Sequence, residues 1–136
     1  MENCIFCKII KGEIPNYTVY EDDKTLAFLD IAPRSSGHTV VIPKNHAERV
    51  AYLAADSLTA LALAVKATAA KIETALKPDG FNIGWNDGAA AGQVVPHLHI
   101  HILPRWTGDG GGNMHSVVNN PGEMSVEEVF NKLNKL

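Results

Sequence analysis

The stretch "PHLHIHILPR", residues 96–105, decides how the rest of the chain is read, because it sets His97, His99 and His101 at every second position of a short apolar run. Half of the six histidines of this 136-residue chain stand there. Alternation at a period of two is the pattern of a β-strand, in which every second side chain shares a face, about 6.6–6.8 Å apart along it. His97, His99, His101 and Leu103 then face one way, and Leu98, Ile100 and Ile102 the other. The apolar set packs against a second layer, which leaves the imidazoles lining the opposite side. Three histidines placed there by accident would leave several buried ring nitrogens in need of partners. The row reads as functional.

The elements around it follow from similar patterns. "CIFCKIIKGEIP" (4–15) reads as a short helix stopped by Gly12 and Pro15. "YTVYED" (17–22) and "KTLAFLD" (24–30) are apolar runs separated by Asp22 and Asp23, which suits a hairpin. "HTVVIPK" (38–44) is a third strand and "FNIGWN" (81–86) a fourth. Between them Asp56 or Ser57 caps a long helix that reaches about Lys77, with Pro78-Asp79-Gly80 as its stop. Leu58, Leu61, Val65, Ala69, Ile72 and Leu76 recur at three- and four-residue steps and predict one core-facing stripe. A second face carries Thr59, Leu63, Ala67, Ala70 and Thr74 instead of charges. That fits either a helix buried on two sides in its own chain or a helix contact across a two-fold axis.

"TGDGGGN" (107–113) is too glycine-rich for regular structure and predicts a flexible loop. Ser125 and Glu128 form a capping box for a last helix, about 125–134, that runs through Val126, Val129, Phe130 and Leu133. The whole predicts one α+β domain over residues 1–136, an antiparallel five-stranded sheet with one long and two short helices packed on it.

Composition sets outer limits. Apolar content of 46% and charged content of 20% are ordinary for a soluble globular domain. A net charge of −3 and a pI near 6.0 argue against nucleic acid or an anionic membrane as partner. "MENCIFCKII" lacks the pattern of a signal peptide, and no window approaches 18 consecutive apolar residues. The expectation is a cytoplasmic protein whose Cys4 and Cys7 carry free thiols.

Two chemistries suit the histidine row. Histidines at i and i+2 of a strand can converge on one metal. All three converge less easily, the outer pair being about 13 Å apart at the backbone. A catalytic metal also wants a further ligand or a carboxylate close by, and no acidic residue lies between Gly88 and Trp106. "GQVV" (92–95) instead puts amide donors beside the imidazoles, which suits an anion such as phosphate. An imidazole largely neutral at pH 7 can attack phosphorus without a separate base.

His97-Leu98-His99-Ile100-His101-Ile102-Leu103, preceded by "AFLDIAPRSSGHTVVIPKNH" (27–46) and "GWNDGAAAGQVV" (84–95), resembles the histidine triad (HIT) superfamily of nucleotide hydrolases and transferases. The likeness runs from Cys4 to about Gly110 and is greatest to the bacterial and Hint-type branch. It implies a HIT-like fold in a homodimer that binds a small-molecule purine nucleotide. The implied reaction is attack at the α-phosphate of phosphoramidates or dinucleoside polyphosphates, through a covalent nucleotidyl-histidine. By motif position His99 is the nucleophile, His101 contacts phosphate and assists the leaving group, and His38 stands behind the pair. Asp30 matches a ribose-binding position. Ile31, Phe6, Ile14 and Phe28 match the nucleotide-site wall around the base, and Asn86 and Gln93 match positions that touch phosphate or leaving group. Many members carry Ser or Thr where this chain has Val94, which donates nothing and puts the leaving-group preference in question.

The resemblance further implies a structural zinc on Cys4, Cys7, His46 and His97, with no metal needed for catalysis. Taken alone, Cys-x-x-Cys also suits two buried thiols that simply pack. Two other functions stay open: a metalloenzyme with the triad as ligands, and a nucleotide-binding regulator with little turnover.

Overall fold

Five strands form one antiparallel sheet in the computed structural model, which describes residues 3–135. They are β1 (Thr18–Glu21), β2 (Thr25–Leu29), β3 (Thr39–Pro43), β4 (Gly80–Gly84) and β5 (Ile100–Arg105), in the spatial order β1-β2-β3-β5-β4. The expected hairpin joins β1 to β2, and its turn is held by the Asp22 carboxylate, which accepts from the Lys24 and Thr25 amides at 2.9 and 2.8 Å. Three helices accompany the sheet: α1 (Ile5–Ile10), α2 (Ala55–Leu76) and α3 (Val126–Leu133). Among the described residues no helix is long and apolar enough to cross a membrane.

The two faces of the sheet have different cover. On one, Ala27, Val41, Leu98, Ile100 and Ile102 pack with Leu61, Ala64 and Ile72 of α2, so the apolar side of the histidine strand lies where alternation put it. On the other, Leu26, Phe28, Val40 and Ile42 pack under Ile9 of α1, with Phe6, Ile10 and Ile14 alongside. The cross-strand pair Val40–His101 places His38, Val40 and His101 on this second face.

Several sequence-based boundaries shift for physical reasons. α2 starts after Ala54 without a side-chain cap, and Asp56 lies inside the first turn, where the helix dipole favours a carboxylate. Its buried residues are Ser57, Leu61, Ala64, Thr68 and Ile72, so Leu58 and Leu76 fall outside the core. A helix of 22 residues is about 33 Å long, and Leu58 and Leu76, near its two ends, are 37% and 45% exposed. Small residues at mid-helix let it close on the sheet. The second face, with Thr59, Leu63, Ala67, Ala70 and Thr74, is exposed, so it is not buried within its own chain.

β5 begins at Ile100 and not at His97. Opposite Leu98 the neighbouring strand offers Pro43, which has no N–H, and Leu98 donates instead to the Ala47 carbonyl at 2.7 Å. α3 forms with its capping box, Glu128 N–H to Ser125 at 3.1 Å and Ser125 N–H to Glu128 at 3.2 Å. It does not pack on the sheet as expected; every described residue from Thr107 onward is exposed.

Candidate functional site

The histidines meet on the face opposite α2. The rings of His99 and His101 stand 5.0 Å apart and those of His38 and His101 5.1 Å apart, centre to centre. Their hydrogen-bond partners settle which nitrogen carries the hydrogen, since a neutral imidazole has one donor and one acceptor. His99 Nδ1 lies 2.7 Å from the His97 carbonyl, which can only accept, so the His99 Nε2 lone pair is free. The Arg34 amide donates to His38 Nδ1 at 3.1 Å, which puts the His38 hydrogen on Nε2. That hydrogen points at His101 Nδ1, 2.9 Å away, and so the His101 hydrogen is on its own Nε2. The row thus presents a nucleophilic lone pair beside a donor.

Neutrality is part of this arrangement. Burial, then the neighbouring His99 and His38, push His101 down to about 4. Burial also pulls His38 below its ordinary value, against the opposing pull of Asp30. His101 stays neutral at pH 7.

His97 turns the other way. Its Nε2–H donates to the Pro43 carbonyl at 2.8 Å, and its Nδ1 lone pair faces Cys4 Sγ at 3.3 Å, Cys7 Sγ at 3.7 Å and His46 Nδ1 at 3.1 Å. Cys7 Sγ and His46 Nδ1 are 3.4 Å apart, and all four ligand atoms lie within 4.8 Å of one another. Zinc bonds of 2.0–2.3 Å in a tetrahedron require ligand separations of about 3.3–3.8 Å. Two thiols and two imidazoles at these distances fit a closed zinc site. Without a cation, burial and then the adjacent Cys4 thiol hold Cys7 in its protonated form.

A second group, Asp30, His38 and His101, also has metal-like spacing. Its tautomers do not suit a metal: His38 Nε2 bears the hydrogen because the Arg34 amide occupies Nδ1. A cation there would have to break that bond or make an imidazolate. The geometry therefore runs against His38 as a metal ligand in this group.

The remaining predicted residues divide. Phe6 lies edge-on to His99 at 5.1 Å, to Phe28 at 5.7 Å and to His97 at 5.8 Å, which joins the apolar wall to the row. Ile14 packs against the same cluster. Asp30 sends Oδ1 to the Ala32 amide at 2.8 Å and Oδ2 toward His38 Nε2 at 3.6 Å, and Ile31 beside it is exposed. Gln93 is committed elsewhere. Its Nε2 donates to the carbonyls of Glu48 and Val95, at 2.8 and 3.0 Å, and its Oε1 accepts from the Gly88 amide at 2.7 Å. Its side chain braces the 88–95 loop and has no donor left for phosphate. Asn86 lies against Gly92, and Val94 points into solvent.

Two contributors escape sequence reading. They are backbone groups, the Arg34 amide and the Pro43 carbonyl, and any residue supplies a carbonyl. Asp87 is a third: its carboxylate takes the Val50 amide at 2.9 Å and Arg49 Nε at 3.2 Å, which anchors the same loop.

An α+β sheet with an imidazole row on the face opposite α2, beside a Cys/His cluster, defines a histidine-triad class of domain. The HIT domain family matches residues 11–108, and the chain belongs to that family. It is 53% identical over 107 residues to an uncharacterised HIT-like protein of Methanocaldococcus jannaschii, covering 79% of this chain and 82% of that one. It is 45% identical over 103 residues to the adenosine 5′-monophosphoramidase of Schizosaccharomyces pombe (76% of this chain, 74% of that one). The same identity over 103 residues relates it to an adenylylsulfatase of Arabidopsis thaliana, with 76% and 52% covered. Among solved structures, a HIT family protein from Bacillus anthracis superposes with a TM-score of 0.81 at 35% identity, over 98% of this chain and 94% of that one. A zinc-bound histidine triad protein from Mycobacterium smegmatis does so with 0.76 at 37% identity, over 89% and 85%.

The depressed His101 value sets a pH dependence. A folded-state value near 4 against about 6.5 in the unfolded chain means that the unfolded chain takes the proton first as pH falls. The stability from keeping His101 neutral is therefore complete above about 6.5 and lost progressively toward 4. Thermal melts between neutral pH and mild acid are expected to show this decline, and His101→Asn to decline less steeply. Equal slopes would remove His101 as the cause.

Proposed function

We propose that this chain is a nucleotide hydrolase or nucleotidyl transferase acting at the α-phosphate of purine nucleotide conjugates, phosphoramidates or dinucleoside polyphosphates, through a covalent adduct on His99. The observation that carries the reading is the tautomer pattern: His99 Nε2 bears a lone pair and His101 Nε2 a hydrogen, on rings whose centres are 5.0 Å apart. His99 Nε2 forms a bond to phosphorus as the bond to the departing group breaks; the His101 Nε2–H hydrogen-bonds to the departing atom, and a departing amine takes its proton from water. Water then cleaves the phosphorus–nitrogen bond and restores His99. Asp30, whose side chain is 25% exposed, suits the ribose hydroxyls, and Phe6, Ile14, Phe28 and Ile31 suit the base. The relatives named as monophosphoramidase and adenylylsulfatase support hydrolysis of small adenylates.

One observation favours a second reading, a nucleotide-binding regulator with little turnover: Val94 offers only an exposed apolar side chain where a hydroxyl would assist the leaving group. Turnover of adenosine and guanosine conjugates decides between the two.

For the leading reading, His99→Ala is expected to lower turnover by about 10⁴–10⁶ while nucleotide binding persists. His101→Ala should cost less, about 10²–10³, the cost of losing one preorganised hydrogen-bond donor. Rapid quench of the wild type with labelled substrate should trap an acid-labile nucleotidyl group on the peptide spanning residues 97–101. Turnover of His99→Ala within about tenfold of wild type would remove His99 as nucleophile.

The Cys4, Cys7, His46 and His97 group is proposed to hold a structural zinc, as its spacing and donor set allow. Those four residues fill a tetrahedron, so the ion's contribution is to tie α1 to the strand beside the row. One zinc per chain is expected in protein purified without chelator. The Cys4→Ser, Cys7→Ser double variant should lose it together with several degrees of thermal stability. Zinc-free wild type by elemental analysis would refute the site.

The chain is also proposed to form a homodimer through the exposed second face of α2, where Leu63, Ala67 and Ala70 allow close helix approach. Ala67→Glu with Ala70→Glu should shift sedimentation to the monomer. A wild type already monomeric at micromolar concentration contradicts it.

A further inference from the structure

The segment after β5 has no part in the reading above, yet it is held in place. Arg105 grips the Asp109 carboxylate with two hydrogen bonds, Nε to Oδ2 at 2.7 Å and the guanidinium Nη2 to Oδ1 at 2.8 Å. Its Nη1 donates to the Gly112 carbonyl at 2.6 Å and to Asn82 Oδ1 on β4. Asp109 also accepts from the Trp106 and Gly111 amides, and the Thr107 amide donates to Asp79 at 2.8 Å. Asn113 and Ser116 then cap each other around the turn Met114–Ser116. The stretch expected to be flexible is a braced loop.

The brace puts Met114 over β4: a side chain at Gly84 would begin 4.0 Å from the Met114 methyl. Gly84 is the cross-strand partner of His101, so both project to the same face. The methyl therefore lies on the histidine face, on the β4 side of His101, while His38 lies on the β3 side. Met114 is 67% exposed, an apolar side chain positioned by its loop with little protein over it.

Strand order says what would pass beneath it. Asp30 and Phe28, at the nucleoside end, belong to β2 and the turn after it, and β4 is beyond β5 on the other side. A substrate with its nucleoside there and its phosphorus at His99 Nε2 extends its departing group toward β4. The guanidiniums on that flank, Arg105 and Arg49, are already paired with Asp109 and Asp87.

We infer that Met114 is a specificity-determining residue: its thioether is the apolar wall of the leaving-group subsite and selects departing amines that carry an apolar or aromatic body. Arg105 and Asp109 are the positioning residues that hold it there. The inference rests on His99 being the nucleophile, and a thioether suits this role because it is polarisable and contacts aromatic rings well.

The test compares two adenosine 5′-phosphoramidates in the full chain, one of ammonia and one of benzylamine, so that only the departing group changes. The benzylamine-over-ammonia ratio of kcat/KM should fall about tenfold in Met114→Ala and return in Met114→Leu. Asp109→Asn, which weakens the fork without touching Met114, should lower the ratio in the same direction, with AMP affinity unchanged and folding checked by circular dichroism. A Met114→Ala ratio within about twofold of wild type overturns the inference and leaves the His99 chemistry standing. If wild type turns over neither conjugate, the proposed function falls, and the wall is read from binding to the His99→Ala variant. There, a benzylamine-over-ammonia affinity ratio that added Met114→Ala leaves unchanged overturns it.

Discussion

Three backbone groups, the carbonyls of Pro43 and His97 and the amide of Arg34, decide what four imidazoles in this fold are able to do. A free histidine exchanges tautomers and is partly protonated near pH 6.5. Here burial keeps His101 neutral, and each backbone contact then assigns the hydrogen to one nitrogen. The outcome is three different reagents from one residue type. His97 offers a lone pair to the thiols, His99 keeps a lone pair on Nε2, and His101 carries a hydrogen on its own Nε2.

The rest of the fold makes that assignment possible. Pairing of β3 with β5 brings His38 to His101 across 63 residues of sequence. The small residues of α2 let it close on the apolar side of the same strand, so the strand cannot flip its faces. α1 covers the other side and carries Cys4, Phe6 and Cys7 together. Phe6 touches His97, His99 and Phe28, so the short helix that supplies two thiols to the cluster also supplies part of the apolar wall beside His99.

The loop between β4 and the histidine strand is held from outside the row. Asp87 ties it to Val50 and Arg49, and Gln93 ties it to Glu48. Gln93 is thereby a brace where its position suggested a ligand, because a side-chain amide that satisfies two carbonyls and one amide has no donor to spare. The HIT match ends at residue 108, within the Arg105–Asp109 fork, whereas the structural likeness to the Bacillus anthracis protein covers 98% of the chain.

The strand character of residues 100–103, the hairpin, the long helix and the capped last helix were all legible in the chain, because periodicity and capping are local and each residue type carries them. The histidine row, the Cys-x-x-Cys and Asp30 were legible as well, since their chemistry is in the side chains. Four matters were not. The true inner face of α2 depended on how the helix is rotated against the sheet, which buries Ser57, Leu61, Ala64, Thr68 and Ile72 and leaves Leu58 and Leu76 out of the core. The start of β5 depended on Pro43 two strands' pairing away in sequence, and the loss of Gln93 as a donor on carbonyls of Glu48 and Val95. The placing of α3 away from the sheet depended on what the core had room to cover. Sequence alone determined which groups this protein has and roughly which face each one takes. Only the tertiary structure decided which nitrogen of each imidazole carries its hydrogen, because that choice belongs to backbone groups that every residue shares and that folding alone brings within 2.7–3.1 Å.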